Sequence, residues 1–483
     1  MKKILRIIIL AFFTLLITAC VEDKNEDQVY KINIYALNDF HGAIFETERE
    51  LGIARIGDFL IKEKTNKPDS TVILSAGDMF QGTAVSSSTK GKVVVDAMNI
   101  IGFDAMTLGN HEFDWGIEGI TRYHDQNLEN GEANFPFLAA NVYQKSIDNY
   151  VDWVKPYVVI ERGDFKIGVL GLIGEAQTGS ILSSIIEDYQ FTNQIDAIKK
   201  YVPILRNEEN CDIVIVSSHD NTNSINGQIA YLTDEYYVDA VINGHTHNFY
   251  AEANYRDEKA PLIVIQSKNN GEYLGKITLE IDPETKKVLD AAGGFVAPSD
   301  MKTENVDILK MFEYYQTEID QANEVLGISA QKISQTEGII WAANTIKKYD
   351  DSQVGIVNSG GIRGTAFPIN QNQTVTYGDI FKIMPFENTI VQVKVTGAQL
   401  KELASLSDLY FSSNYKRSNG IIDGTEINDE QLYVVATIDY VFEKYNYLFS
   451  LGQDINYSGF IFRNHLVAEV KESVAINGQW HIK

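Results

Sequence analysis

Cysteine is nearly absent from this 483-residue chain: there are two, Cys20 and Cys211, alongside nine prolines. So few thiols exclude a disulfide-stapled fold and leave stability to a hydrophobic core. Positive charge is also scarce. Lys and Arg number 41 against 66 Asp and Glu, a net charge of −25 that excludes nucleic-acid polymers and anionic membrane surfaces as electrostatic partners. An anionic ligand must therefore be drawn in locally, for instance by metal ions. No apolar run reaches membrane-spanning length; the one at 4–18 is too short and wrongly flanked. Internal repeats and low-complexity tracts are missing too, and no Arg occurs between Asp257 and Ile362. What is present is 44% hydrophobic composition, over a length sufficient for two substantial domains.

Residues 1–20 read as a targeting segment. Lys2, Lys3 and Arg6 give a basic start to the apolar run, the layout of a secretory signal. Its end, Leu16-Ile17-Thr18-Ala19-Cys20, resembles a bacterial lipobox. That resemblance implies export, cleavage before Cys20, and anchoring to the cell envelope through a lipidated Cys20, facing either the periplasm or the outside. The acidic stretch VEDKNEDQ at 21–28 reads as a flexible tether. Lipidation of Cys20 leaves Cys211 without an intrachain partner. No feature specifies the oligomeric state.

From residue 30 onward, β-rich runs at 31–37, 71–75, 105–108, 157–160, 165–172, 213–217, 240–242, 262–266 and 276–281 alternate with helical patterns at 52–64, 91–100 and 193–207. Alternation of this kind predicts an α/β layered domain, placed at 30–300. Ile308, Met311, Phe312, Tyr315, Ile319 and Ala322 recur at helical spacing and predict one long linker helix over 301–328. A second α/β domain follows at 329–483, with strands near 354–358, 391–395 and 432–437.

Five stretches of the first block place ligand-type side chains just after apolar runs: NDFHG at 38–42, GD at 77–78, LGNHEFDWG at 108–116, SSHD at 217–220 and GHTH at 244–247. Asp39 and His41 are two apart, as are His245 and His247, so an extended chain would aim each pair to one side. Open α/β sheets bind ligands at the C-terminal ends of their strands. Asp, His and Asn donors without thiolates suit a borderline divalent ion such as Zn²⁺ or Mn²⁺. Two ions need about seven ligands, with a shared carboxylate as the natural bridge. Five of the eight histidines fall in these stretches, leaving His124, His465 and His481 to surface or packing roles.

D-x-H, GD, GNHE, a lone His and GHTH, in that order, resemble the calcineurin-like metallophosphoesterase superfamily. GNHEFD followed by NSGGIRG at 358–364 resembles the bacterial 5′-nucleotidase and UDP-sugar hydrolase family in particular. The resemblance implies an N-terminal two-sheet α/β/β/α sandwich, a long linker helix and a smaller C-terminal α/β substrate-binding domain. It implies one metal on Asp39, His41, Asp78 and His247, a second on Asp78, Asn110, His219 and His245, and a His111–Asp114 catalytic dyad. Hydrolysis would use a water activated between the two ions. Because metals and base recognition belong to different domains, closure or rotation of one on the other is expected.

In the second block, Asn358, Gly360, Gly361 and Arg363 match the family's N-x-G-G-x-R loop, implying close backbone approach and a phosphate grip. Phe386 in MPFEN resembles the first base-stacking aromatic. The second aromatic falls on Leu448, with Tyr447 or Phe449 beside it, and Asp454 stands where ribose hydroxyls would be held. The family's earlier Arg is missing, leaving Lys332 as its only local replacement. The resulting expectation is an exported hydrolase of nucleoside 5′-monophosphates, with nucleotide sugars or di- and triphosphates as further substrates. The alternatives are a 2′,3′-cyclic nucleotide phosphodiesterase/3′-nucleotidase, a nucleotide-binding surface lipoprotein without turnover, and sulfate-ester or thiosulfate hydrolysis.

Overall fold

The computed structural model describes residues 29–147, 149–220, 223–256 and 259–482, so the targeting segment, Cys20 and nearly all of the tether lie outside it. Two six-stranded sheets form the first block. One runs, in spatial order, Val288–Val296, Leu274–Ile281, Tyr30–Leu37, Thr71–Ser75, Ala105–Thr107, Phe137–Leu138. The other runs Phe249–Arg256, Lys259–Ser267, Ala240–Asn243, Ile213–His219, Phe165–Ile173, Tyr157–Arg162.

Period-two alternation builds the layers. Ile213, Ile215, Ala240 and Ile242 face inward and pack on Ile32, Ile34, Val72 and Leu74 of the opposite sheet. Their neighbours Val214, Val216 and Val241 face outward onto Ile198, Val202 and Ile229. On the first sheet's outer face, Tyr35, Leu37 and Ile73 meet Ile56, Leu60, Val94 and Met98. Strands covered on both faces read as continuous apolar runs, which is why these were visible in the sequence. The layers are α/β/β/α. Inner strands pair in parallel, Tyr30–Leu37 with Thr71–Ser75 and Ile213–His219 with Ala240–Asn243. Their C-terminal loops therefore emerge at one edge of the sandwich.

Three of the longer strands that sequence patterning missed, Phe249–Arg256, Val288–Val296 and Gln453–Ile461, are edge strands with few buried positions. Having little to bury, they carry no apolar run. The helical arm also differs from expectation. It is broken into Val306–Phe312, a 3₁₀ turn at Glu313–Tyr315 and Gln316–Ala322, because Tyr315 (φ −108°, ψ 19°) leaves the helical basin, its hydroxyl bonded to Asp96. Beyond it, a mixed five-stranded sheet (Leu409–Phe411, Val354–Asn358, Leu432–Ile438, Thr389–Thr396, Gln453–Ile461) packs with Gln335–Lys347 and Phe462–Asn477 around a separate core. Among the described residues, no helix is long and apolar enough to cross a membrane.

Candidate metal centre and substrate cavity

The five ligand-bearing stretches converge, though not by extended backbone. Asp39, His41, Asp78, His245 and His247 all lie past their strand ends at positive φ (49°, 51°, 55°, 77° and 55°). Left-handed backbone is costly outside glycine and clusters at functional sites, where surrounding structure enforces it. Here the loops enforce one another. The N–H groups of Asp39, His41 and Gly42 donate to the carbonyls of Gly77, Asp78 and Met79 at 2.9–3.0 Å. The N–H of His245 donates to both Asp39 carboxylate oxygens, at 2.9 and 3.0 Å. A Cβ on Gly109 would sit 2.1 Å from Asp78 Oδ1, and one on Gly244 2.7 Å from His219 Nδ1, so only glycine lets these turns close.

Two donor groups result, Asp39–His41–His247 and Asp78–His219–His245, with the donor atoms of each within 4.8 Å of one another. Asn110 Oδ1 joins the second group, 3.2 Å from His219 Nε2 and 2.9 Å from His245 Nδ1. His41 Nδ1–H donates to the Gln81 carbonyl at 2.9 Å, and His219 Nδ1–H to that of Ala76 at 2.7 Å. These bonds orient both rings with Nε2 inward. His41 Nε2 then faces His247 Nε2 at 3.1 Å, two ring nitrogens converging on one point. Such a donor set fits a pair of divalent cations.

Electrostatics separates the two groups. Burial, then the neighbouring rings, pushes His41 well below its usual range; burial first takes His245 and His247 down to about 4. Burial also works against a charged His219, but the Asp78 carboxylate 3.2 Å away outweighs it and raises the ring to about 10. Burial lifts Asp39 to about 7.

Glu112 is a residue that motif reading left without a role. It is 1% exposed, and its carboxylate accepts the N–H groups of Gly109, Asp78 and Met79 at 2.7, 2.9 and 2.8 Å, pinning the two loops that carry Asp78 and Asn110. Its signal was an acid in a glycine turn otherwise filled by ligands.

Beside the donors, His111 Nδ1–H donates to Asp114 Oδ2 at 2.8 Å, and its Nε2 accepts from Arg363 Nη2 at 2.7 Å. Burial would lower the imidazole's affinity for a proton, but the Asp114 and Asp78 carboxylates reverse that and raise it. The Phe386 ring stacks on His111, centroids 5.7 Å apart, and the Arg363 guanidinium lies 4.9 Å from the Phe386 ring. A cavity of about 250 Å³ opens here, lined from the first block by Asn110, His111, Asp114 and His245 and from the second by Asn358, Gly360, Gly361, Arg363 and Phe386.

Three expectations for the second block require correction. Asp454 lies at an exposed edge strand, paired with Lys394 at 2.6 Å, and does not line the cavity. Leu448 and Phe449 are buried in the second core while Tyr447 points to solvent, because a short helix at Asn446–Phe449 turns that segment away. The aromatic that joins Phe386 on the second block's side of the cavity is instead Tyr440, just after the Leu432–Ile438 strand; an aromatic following a strand end was the available signal. Lys332 is off the cavity, leaving Arg363 as the only Lys or Arg among the described residues that line it.

Residues 32–249 match the calcineurin-like phosphoesterase family, and residues 316–449 the 5′-nucleotidase C-terminal domain. The trifunctional nucleotide phosphoesterase protein YfkN of Bacillus subtilis is 25% identical over 79% of this chain, which spans 28% of that protein's length. The 5′-nucleotidase of Vibrio cholerae is 25% identical, the match covering 83% of this chain and 80% of the relative. The crystal structure of a 5′-nucleotidase precursor from Thermus thermophilus superposes with a TM-score of 0.75 over 92% of this chain and 96% of its own, at 18% identity, a likeness of fold. With both halves matched in order and the two donor groups at the shared edge of the sandwich, the chain belongs to the calcineurin-like metallophosphoesterases that carry a 5′-nucleotidase C-terminal domain, a family of metal-dependent phosphoester hydrolases.

Proposed function

We propose that this chain is an exported dinuclear-metal phosphohydrolase that releases phosphate from nucleoside 5′-monophosphates, with the lipid-bearing Cys20 tethering it to the cell envelope. The observation carrying the reading is the 2.7 Å contact between Arg363 Nη2 and His111 Nε2, which brings the loop suited to gripping phosphate onto the dyad beside both donor groups. In this reading Asp39, His41, Asp78 and His247 hold one ion and Asp78, Asn110, His219 and His245 the other, Zn²⁺ or Mn²⁺. Bound there, the pair supplies Lewis-acid charge and lowers the pKa of a coordinated water.

The protein's own groups do the rest. A phosphoryl oxygen arriving at His111 displaces the Arg363 N–H from Nε2. His111, with its proton affinity raised, then carries a proton on that atom and donates it toward charge developing on the phosphoryl group, while Asp114 holds Nδ1–H and keeps the ring oriented. Arg363 turns its planar fork to the same group. Phe386 and Tyr440 offer aromatic faces to a base. The 250 Å³ cavity lies just below the usual range of ligand pockets, about 300–1,000 Å³, and so favours a mononucleotide over a larger nucleotide sugar.

The test is hydrolysis of AMP, 3′-AMP, cyclic 2′,3′-AMP and UDP-glucose with Mn²⁺ and with Zn²⁺. AMP is expected to show the highest kcat/KM. Faster turnover of 3′-AMP or the cyclic ester, or two bound metals without phosphate release, would sink the proposal.

A further inference from the structure

Four consecutive carbonyls hold the loop that carries Phe386, and each has a partner. Ile383 O accepts the backbone N–H of Arg363 at 2.9 Å. Met384 O and Phe386 O accept Nη1 of Arg463, at 3.2 and 2.9 Å. These three bonds come from the loop's own block. The fourth carbonyl, Pro385 O, is held from the other side of the cavity by Gln81 Nε2 at 2.9 Å.

Gln81 is 1% exposed, and its backbone carbonyl is the group that orients the His41 ring. A single residue thus touches a metal-ligand side chain through its main chain and the base-stacking loop through its side chain. The carboxamide's orientation is forced: Pro385 O only accepts, so the NH₂ must face it. Oε1 is left buried without a partner. A buried unpaired acceptor is unfavourable, so nothing at the Oε1 end favours a carboxamide here; the Nε2 bond to Pro385 O does.

We propose that Gln81 is a positioning residue for nucleoside recognition: it fixes the distance between the Phe386 ring and the metal-side loops, and so sets how well a base-bearing phosphoester is preferred over one without a base. This rests on the nucleotide reading above. Gln81 sits in the D-M-F-Q-G-T run that starts at Asp78, yet its effect is exerted across the interface between the blocks.

The experiment compares kcat/KM for AMP and for ribose 5-phosphate in the wild type, Gln81→Met and Gln81→Glu, with metal content measured in each. Methionine keeps the length and removes the donor; glutamate sets an oxygen against Pro385 O. The AMP to ribose 5-phosphate ratio is expected to fall about three- to tenfold in Gln81→Met, the scale of one neutral hydrogen bond, through a higher KM for AMP, and at least as far in Gln81→Glu. Metal content should match the wild type. An unchanged ratio in whichever variants fold, or equal losses on both substrates, overturns the proposal. A wild type with no preference for AMP over ribose 5-phosphate instead overturns the nucleotide reading, and this inference with it.

Discussion

On the metal side of the cavity, Asp39, His41, Asp78, Asn110 and His219 are 0–8% exposed, and bonds from three neighbouring loops fix their backbones. On the facing side, Arg363, Phe386 and Tyr440 are half-buried, and the walls come from two loops and a strand end. The two sides answer different physical demands. Donors to a divalent ion must hold their positions to fractions of an ångström, so motif spacing, glycines and the carbonyls that orient the rings are specified together. Recognition of a base needs an aromatic face and a cation at roughly the right height. That side can accordingly leave Lys332 off the cavity and place Tyr440 rather than Leu448 on its wall while the fold around it stays intact.

The sharpest way to break this comparison is Asp78→Asn, which removes the carboxylate proposed to serve both ions. Activity should vanish, and metal analysis should find at least one ion lost; full metal content with turnover would erase the distinction between the two sides. Next in size, His111→Ala should retain both metals while kcat falls about 10²–10⁴-fold, the usual contribution of a positioned acid or base. Phe386→Ala and Tyr440→Ala should act on KM, raising it for AMP about five- to hundredfold on the scale of base–aromatic stacking, with kcat far less affected.

Within the metal side, pH should separate the two donor groups. His219 is raised to about 10, so below that pH a metal must displace its proton, and affinity at the Asp78–Asn110–His219–His245 group should rise about tenfold per pH unit through neutrality. His247 is lowered to about 4, and His41 well below its usual range, so the other group has no histidine proton to lose above about pH 5. Asp39, lifted to about 7, is the residue of that group that does carry a proton near neutrality. Above about pH 8, calorimetry in buffers of different ionisation enthalpy should therefore count a proton released at the His219 group and none at the other; equal counts there would refute the assignment. The smallest effect belongs to Asp454→Ala. It removes only an exposed pair with Lys394, worth about 0–1 kcal/mol, and KM for AMP should stay at the wild-type value.

Legibility followed burial. The inner strands Thr71–Ser75 and Ile213–His219 were readable because both faces are covered, and the donors after them because glycine and histidine recur at strand ends. The exposed edge strands Phe249–Arg256, Val288–Val296 and Gln453–Ile461 were not, since exposure removes the pattern, whereas the edge strand Tyr157–Arg162 is largely half-buried and was read. Glu112 and Gln81 were chemically unremarkable as letters; their roles exist only where three N–H groups or a distant carbonyl come within reach. Tyr440, not Leu448, lines the cavity because it lies at the start of the short helix Asp439–Lys444, directly after the strand. The next helix, Asn446–Phe449, turns Leu448 and Phe449 into the core, and no spacing rule anticipates these turns.

The order of apolar runs and the five donor stretches were set by the sequence alone, because strand periodicity and ligand chemistry are local properties of the chain. Which rings line the cavity, that Gln81 reaches the Pro385 carbonyl, and that Arg363 meets His111 were decided by tertiary structure. Those contacts join residues up to 304 apart, and only packing of the second block against the first brings them together.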